Sequence, residues 1–155
     1  MTFTLTSTAF ADGERIPDRH ASLGEDISPP LAWSGAPSGV RSFALIVEDL
    51  DAPHVAWQQW ALCDIPASQS ALAEDFPQKA RIGPIRQCIN EFHGLGYRGP
   101  CPLRGQGTHR YRFRLLALAV ERLDLAEGPG GRDVAAVAQG HVLAEAILAG
   151  TYSRD

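Results

Sequence analysis

The run RYRFRLLALAV, residues 110–120, settles which class of fold this chain builds. Tyr111, Phe113 and Leu115 alternate with Arg110, Arg112 and Arg114. A period of two sends the aromatic set and the arginine set to opposite faces of a β-strand. Two other runs are of strand length. SFALIV, residues 42–47, is apolar throughout, as expected of a central strand covered on both faces. VAWQQWALCDI, residues 55–65, reads as a second such strand. At the start, Phe3 and Leu5 alternate with Thr2, Thr4 and Thr6, the pattern of a half-buried strand.

Between these runs the chain turns. Residues 11–17 are turn-rich. SPPLAW, residues 28–33, is extended, because a residue before proline is pushed away from helix. Residues 34–39 form a loop, and residues 48–53 form a compact acidic loop between two apolar strands. Residues 67–96 show little periodicity and are expected to be mostly irregular. One helix is expected, over 133–149. Asp133 would cap it, and Val134, Val137, His141, Ala144 and Leu148 would form its apolar stripe, with His141 buried on it. Gly150 suits the end. The chain therefore reads as one mainly β (α+β) domain over 1–155, not an alternating βαβ protein.

Composition excludes several functions. A net charge of −4 with scattered charges carries no nucleic-acid footprint. Cys63, Cys88 and Cys101 form no CxxC pair, which argues against a disulfide framework or a cysteine zinc site and for a reducing, cytoplasmic setting. No signal-peptide pattern and no apolar stretch long enough to span a membrane is expected. Dinucleotide, P-loop and GxSxG motifs are absent, and the five histidines have no metal-binding spacing. Neither a metal nor a cofactor is expected.

Two stretches carry chemistry. One is Asp49-Leu-Asp-Ala-Pro53 followed by Trp57-Gln-Gln-Trp60. The other is Gly99-Pro-Cys-Pro102 leading to His109-Arg-Tyr111. Each alone could be structural, an Asx turn or a histidine at a strand start. In series, SPPLAW (28–33), DLDAP (49–53), WQQW (57–60) and GPCPLRGQGTHRY (99–111) resemble the phosphatidylethanolamine-binding protein family, which includes the animal Raf kinase inhibitor protein. The resemblance runs from Phe10-Ala-Asp-Gly13 to the expected C-terminal helix. It implies a central antiparallel β-sheet, a second smaller sheet, and a helix at the C-terminal end. It also implies a small cavity for anions such as phosphate, acetate or a phosphoethanolamine head group. By the motif match, Asp49, Asp51 and Pro53 belong to that site, as do His109 and Tyr111, with Cys101 and Pro102 in the loop at its mouth.

Such a cavity makes physical sense. Phosphate needs donors: a phenol O–H, an imidazole N–H, backbone N–H groups in a stiff loop. An aspartate beside it can accept from a ligand ammonium or share a proton. His109 would be the pH-sensitive member. Two departures from the family pattern stand out. Gln59 replaces a usual histidine; it can donate but cannot carry charge, and His54 is a candidate substitute. Leu50 and Leu103 replace prolines, which should loosen the loop. Trp33, Trp57 and Trp60 are expected in the core or pocket wall, and the three arginines of residues 110–114 on a solvated face. His20 is expected to be structural or to approach the cavity, and Cys101 to be exposed. The function implied is a non-catalytic anion-binding protein, with regulation of a kinase or protease by contact and assembly as a homodimer as further expectations. The alternative is a hydrolase using Asp49 and His109 as an acid–base pair.

Overall fold

The computed structural model describes residues 2–53 and 55–154. His54 lies outside them. Nine strands are described: β1 (Thr4–Thr6), β2 (Leu31–Ser34), β3 (Ser42–Asp49), β4 (Trp57–Pro66), β5 (Ala71–Leu72), β6 (Arg81–Ile82), β7 (Ile85–Gln87), β8 (Thr108–Leu118) and β9 (Val142–Ser153). One helix, α1 (Gly131–Ala138), lies between β8 and β9. Six strands form an antiparallel sheet in the order β6-β7-β4-β3-β8-β9, and three form a smaller sheet, β1-β2-β5.

The large sheet is covered on both faces. Between the two sheets lies the main core, with Phe43, Leu45, Trp60 and Phe113 packed beside Leu5 and Trp33 of the small sheet. On the other face Ile46, Ala61, Cys63 and Leu116 pack with Val134 and Ala138 of α1. That double cover is why β3 and the second half of β4 read as unbroken apolar runs. Burying each large side chain contributes roughly 1.5–3 kcal/mol. On β8, Tyr111, Phe113 and Leu115 are buried as the alternation predicts. The arginine face is more ordered than expected. Arg112 and Arg114 share Glu48 at 2.9 and 3.6 Å, and Arg114 also pairs with Glu145 at 3.0 Å.

The expected helix over 133–149 is corrected. The helix ends at Ala138, and the chain continues as the twelve-residue β9. Gly140 breaks the helix at φ +93°. Ala144 and Leu148 are four apart, so they fit a helical stripe and a strand face equally; the structure adds Ala146 and Tyr152 to that buried face. Pairing with β8 along its length decides the matter. Asp133 sits inside the first turn, where its Oδ2 accepts the Gly130 N–H at 2.9 Å. His141, expected to be buried, is exposed in the turn before β9. Residues 67–96, expected to be mostly irregular, contain three short strands, two of which, β7 beside β4 and β6 beyond it, extend the large sheet.

A bulge in β4 positions the site. Val47 faces Trp60 and Glu48 faces Gln58, so Gln59 is the extra residue. Bulges of this kind re-aim side chains. Here Gln58 turns toward α1, and Gln59 toward the loop at residues 98–99.

Candidate functional site

Asp49 ends β3 directly opposite Tyr111 of β8, and His109 lies two residues before Tyr111 on the same face. Register alone therefore gathers the three. His109 Nδ1 donates to Asp49 Oδ2 at 2.7 Å, and both residues are buried. The other carboxylate oxygen accepts the Asp51 N–H at 2.9 Å, an Asx turn that fixes the aspartate. The rings of His109 and Tyr111 stack with centroids 6.4 Å apart. The Tyr111 hydroxyl lies beside Asp49 and the Cys101 backbone. It completes a hydrogen bond to neither, although it is buried. Burial, and then the Asp49 carboxylate, push the phenol pKa well above its ordinary value, so Tyr111 is a proton donor. Nδ1 being committed, Nε2 is the imidazole nitrogen left for another partner.

The loop behind the cluster is bolted down. Gln59 Nε2 donates to the carbonyls of Arg98 and Gly99 at 2.8 and 2.9 Å. Tyr97 donates its O–H to the His20 carbonyl at 2.7 Å. The Gly99 N–H donates to Asp26 Oδ1 at 2.7 Å. A Cβ on Gly99 would stand 1.9 Å from the His20 carbonyl oxygen, so no other residue fits there. These contacts deliver Pro102, which is buried, and Cys101, which is half-buried.

A family model described as phosphatidylethanolamine-binding protein matches residues 6–153. The chain belongs to that family. It is 44% identical to a UPF0098 protein of Aquifex aeolicus over 96% of this chain and 87% of that one. It is 46% identical to one of Methanothermobacter thermautotrophicus over 97% and 98% of the two chains. The crystal structure of Escherichia coli YbcL, described as a new member of the mammalian family, superposes with a TM-score of 0.94 at 30% identity over the whole of both chains.

Against the family motif, the residues expected at the site divide. Asp49, His109 and Tyr111 converge, with the Cys101 backbone against them. Asp51 does not join them. Its carboxylate takes the Arg110 N–H at 2.7 Å and the guanidinium at 2.9 Å through two nitrogens. Arg110 leaves β8 on the face away from His109 and Tyr111, and it holds the Asp51 pKa below the usual carboxylate value. Pro53 is exposed. Gln59 is a loop anchor, because both its bonds go to backbone carbonyls. His20 is buried and structural, its Nδ1 2.9 Å from the Ile27 carbonyl oxygen. The two leucines do the reverse of what was expected. The Leu50 N–H donates to the Arg110 carbonyl at 2.9 Å, and the Leu103 N–H to Gln106 Oε1 at 2.7 Å. Proline has no N–H and would lose both bonds.

Sequence reasoning missed Asp26 and Tyr97, which hold the loop from outside. Asp26 sits at φ +57°, and burial raises its pKa despite the opposing pull of the Gly99 N–H and Arg98. Nothing in the local pattern GEDISPP marks it, since its partner is 73 residues away.

Proposed function

We propose that this chain is a binding protein that holds a small anionic head group, phosphate or carboxylate, at Asp49, His109 and Tyr111 without turning it over. One observation carries the reading. Tyr111 presents a buried O–H with no partner in the protein, next to an imidazole whose Nδ1 is already committed. Native proteins rarely leave a buried donor unused, and an anion oxygen is the natural acceptor. Asp49 restricts the choice. A monoprotonated phosphate can share its proton with the carboxylate, and a zwitterionic head group can give it an ammonium. Family membership supports regulation of a kinase or protease by contact. Three unbridged thiols support a reducing compartment, the cytoplasm.

A hydrolase built on Asp49 and His109 has nothing here in its favour. The phenol beside the pair is held protonated by burial and by Asp49, the opposite of an activated nucleophile. Phosphate titration by calorimetry tests the binding reading. Tyr111→Phe should weaken phosphate about tenfold to a hundredfold, the worth of one hydrogen bond to a charged group. Unchanged affinity in a folded Tyr111→Phe protein would reject the assignment.

A further inference from the structure

A cleft of about 410 Å³ lies at the end of β9 and shares no lining residue with the Asp49 cluster. Tyr152, on one wall, stands opposite His109 across β8 and β9, so the two places are neighbours. Arg15, Arg104 and Arg154 line the cleft, with Asp18 and Leu23.

Three distant parts of the chain supply the arginines, and backbone hydrogen bonds bring them together. The Ile16 N–H donates to the Thr151 carbonyl at 2.8 Å, and the Thr151 N–H to the Glu14 carbonyl at 3.0 Å. That pairing holds Arg15 alongside β9. Arg154 directly follows the strand. Arg104 sits in a turn closed by the Gln106 N–H on the Leu103 carbonyl at 3.1 Å. The Ser22 N–H donates to the Pro100 carbonyl at 3.0 Å, which joins the loop of Arg104 to the segment of Leu23.

Arg15 is already in place. Its guanidinium lies over the Tyr152 ring at 4.5 Å and donates to Asp18 Oδ1 at 3.0 Å. Tyr152 donates its O–H to the same oxygen at 2.9 Å. A side chain held beforehand loses less entropy on binding. Arg110 and Arg132 elsewhere are each paired with a carboxylate. Arg104 and Arg154 pair with none among the described residues.

The charge balance selects the ligand. Three guanidinium groups against the one carboxylate of Asp18 leave an excess of two positive charges, in a chain whose net charge is −4. The Asp49 cluster differs: it offers a carboxylate, an imidazole and a phenol, and takes an anion that brings a proton or an ammonium. The cleft instead takes an anion that brings two full negative charges. A phosphate monoester carries close to that charge at neutral pH, and guanidinium forks match its oxygens. A carboxylate brings only one charge. Leu23, 62% exposed, sets an apolar surface beside the arginines. The carbon part of an ester covers it, and a free phosphate leaves it in water. The volume is also in the range of small-molecule sites.

We propose that this cleft is a second binding site, for a phosphate monoester whose oxygens pair with Arg15, Arg104 and Arg154 and whose organic part covers Leu23. A small phosphorylated metabolite and a phosphorylated serine of a partner protein present the same chemistry. The site stands independently of the anion reading at Asp49.

The test is a titration of the ¹⁵N-labelled full chain at low salt, followed by NMR. The reporters are the backbone amides of Leu23, Gly24 and Arg154 and the Arg15 side-chain Nε–H. The probes are glycerol phosphate, a capped phosphoserine peptide, inorganic phosphate and acetate. The esters should shift the reporters, saturating with Kd on the order of 1 mM, and the tighter of the two identifies the source. Inorganic phosphate should bind there severalfold more weakly, and acetate at least about tenfold more weakly. Arg104→Gln and Arg154→Gln should each weaken glycerol phosphate about threefold to tenfold, while phosphate still perturbs His109. Tyr111→Phe should leave the titration of the cleft unchanged. The proposal is overturned if the reporters stay in place up to about 20 mM of both esters. It is equally overturned if acetate or inorganic phosphate binds as tightly as the esters, or if the double arginine variant binds like the parent. Loss of the cleft response in Tyr111→Phe would overturn it too, because the shifts would then come from the Asp49 cluster. Loss of the His109 response to phosphate alone would instead reject the anion reading and leave the cleft standing.

Discussion

Asp49 and Asp51 are chemically identical and one residue apart, yet Asp49 is buried 2.7 Å from His109 while Asp51 is forked onto Arg110 at the surface. Strand geometry separates them. His109 and Arg110 are adjacent on β8, so their side chains leave on opposite faces. Each aspartate follows a different one. The buried pair is shielded from water and salt, and its members depend on each other for hydrogen bonds. The exposed pair has ideal bidentate geometry but competes with solvent. A motif containing two aspartates thus supplies one site group and one fastener.

Removing each carboxylate should break that comparison open. Asp49→Ala should cost about 3 kcal/mol of unfolding free energy, because it strands the buried imidazole and frees the Asp51 N–H. Asp51→Ala should cost roughly a third of that or less. Urea titrations at neutral pH measure both, and comparable losses would overturn the distinction. The pair at Asp51 also has a pH signature. Its folded pKa is depressed by Arg110. Its stabilising contribution is therefore present above the ordinary carboxylate pKa and is lost as pH falls through the lower, folded one.

Tyr111→Phe sharpens the contrast between binding and stability within the cluster. The loss of phosphate affinity should come with a fold as stable as the parent or more stable by up to about 1 kcal/mol, since the hydroxyl removed is buried and unpartnered. Thermal unfolding without phosphate checks this. A clear loss of stability would mean that the hydroxyl serves the protein itself.

How much of this was legible beforehand depends on where the partners lie. Tyr111 and His109 share a face by simple alternation, and continuous apolar runs announced the strands with two covered faces. The helix was misjudged because residues 144 and 148 satisfy two periods at once; only the pairing of β9 with β8 chooses between them. Gln59 and Leu50 were readable as departures from a motif but not in effect. Their value lies in backbone groups that sequence spacing does not locate: the carbonyls of Arg98 and Gly99 for one, that of Arg110 for the other. Asp26 and Gln58 were invisible for the same reason.

Gln59→His tests the anchor against the ligand role. Imidazole is shorter than the carboxamide arm and cannot give two N–H groups from one nitrogen to two carbonyls. The expected result is a loss of roughly 1–2 kcal/mol, from one or two buried carbonyls left without a donor. Faster amide exchange at residues 98–102 should accompany it. Gained phosphate affinity without lost stability would show that residue 59 faces the ligand after all.

The smallest effect separates Asp26 from both other aspartates. Burial raises its pKa, whereas Arg110 lowers that of Asp51. In the folded protein Asp26 therefore holds its proton to higher pH than in the unfolded chain. Stability must then fall as pH rises through the interval between the ordinary carboxylate value and the raised one. Asp26→Asn keeps an oxygen for the Gly99 N–H and removes the charge. It should be at least as stable as the parent at pH 7, with the difference vanishing below the ordinary carboxylate range, where Asp26 is protonated in both states. Denaturation at pH 7 and pH 3 measures this. Should Asp26→Asn be the less stable protein at pH 7, the Arg98 guanidinium, 3.8 Å from the Asp26 carboxylate, outweighs the desolvation of that carboxylate, and the loop is held by charge rather than by the amide bond.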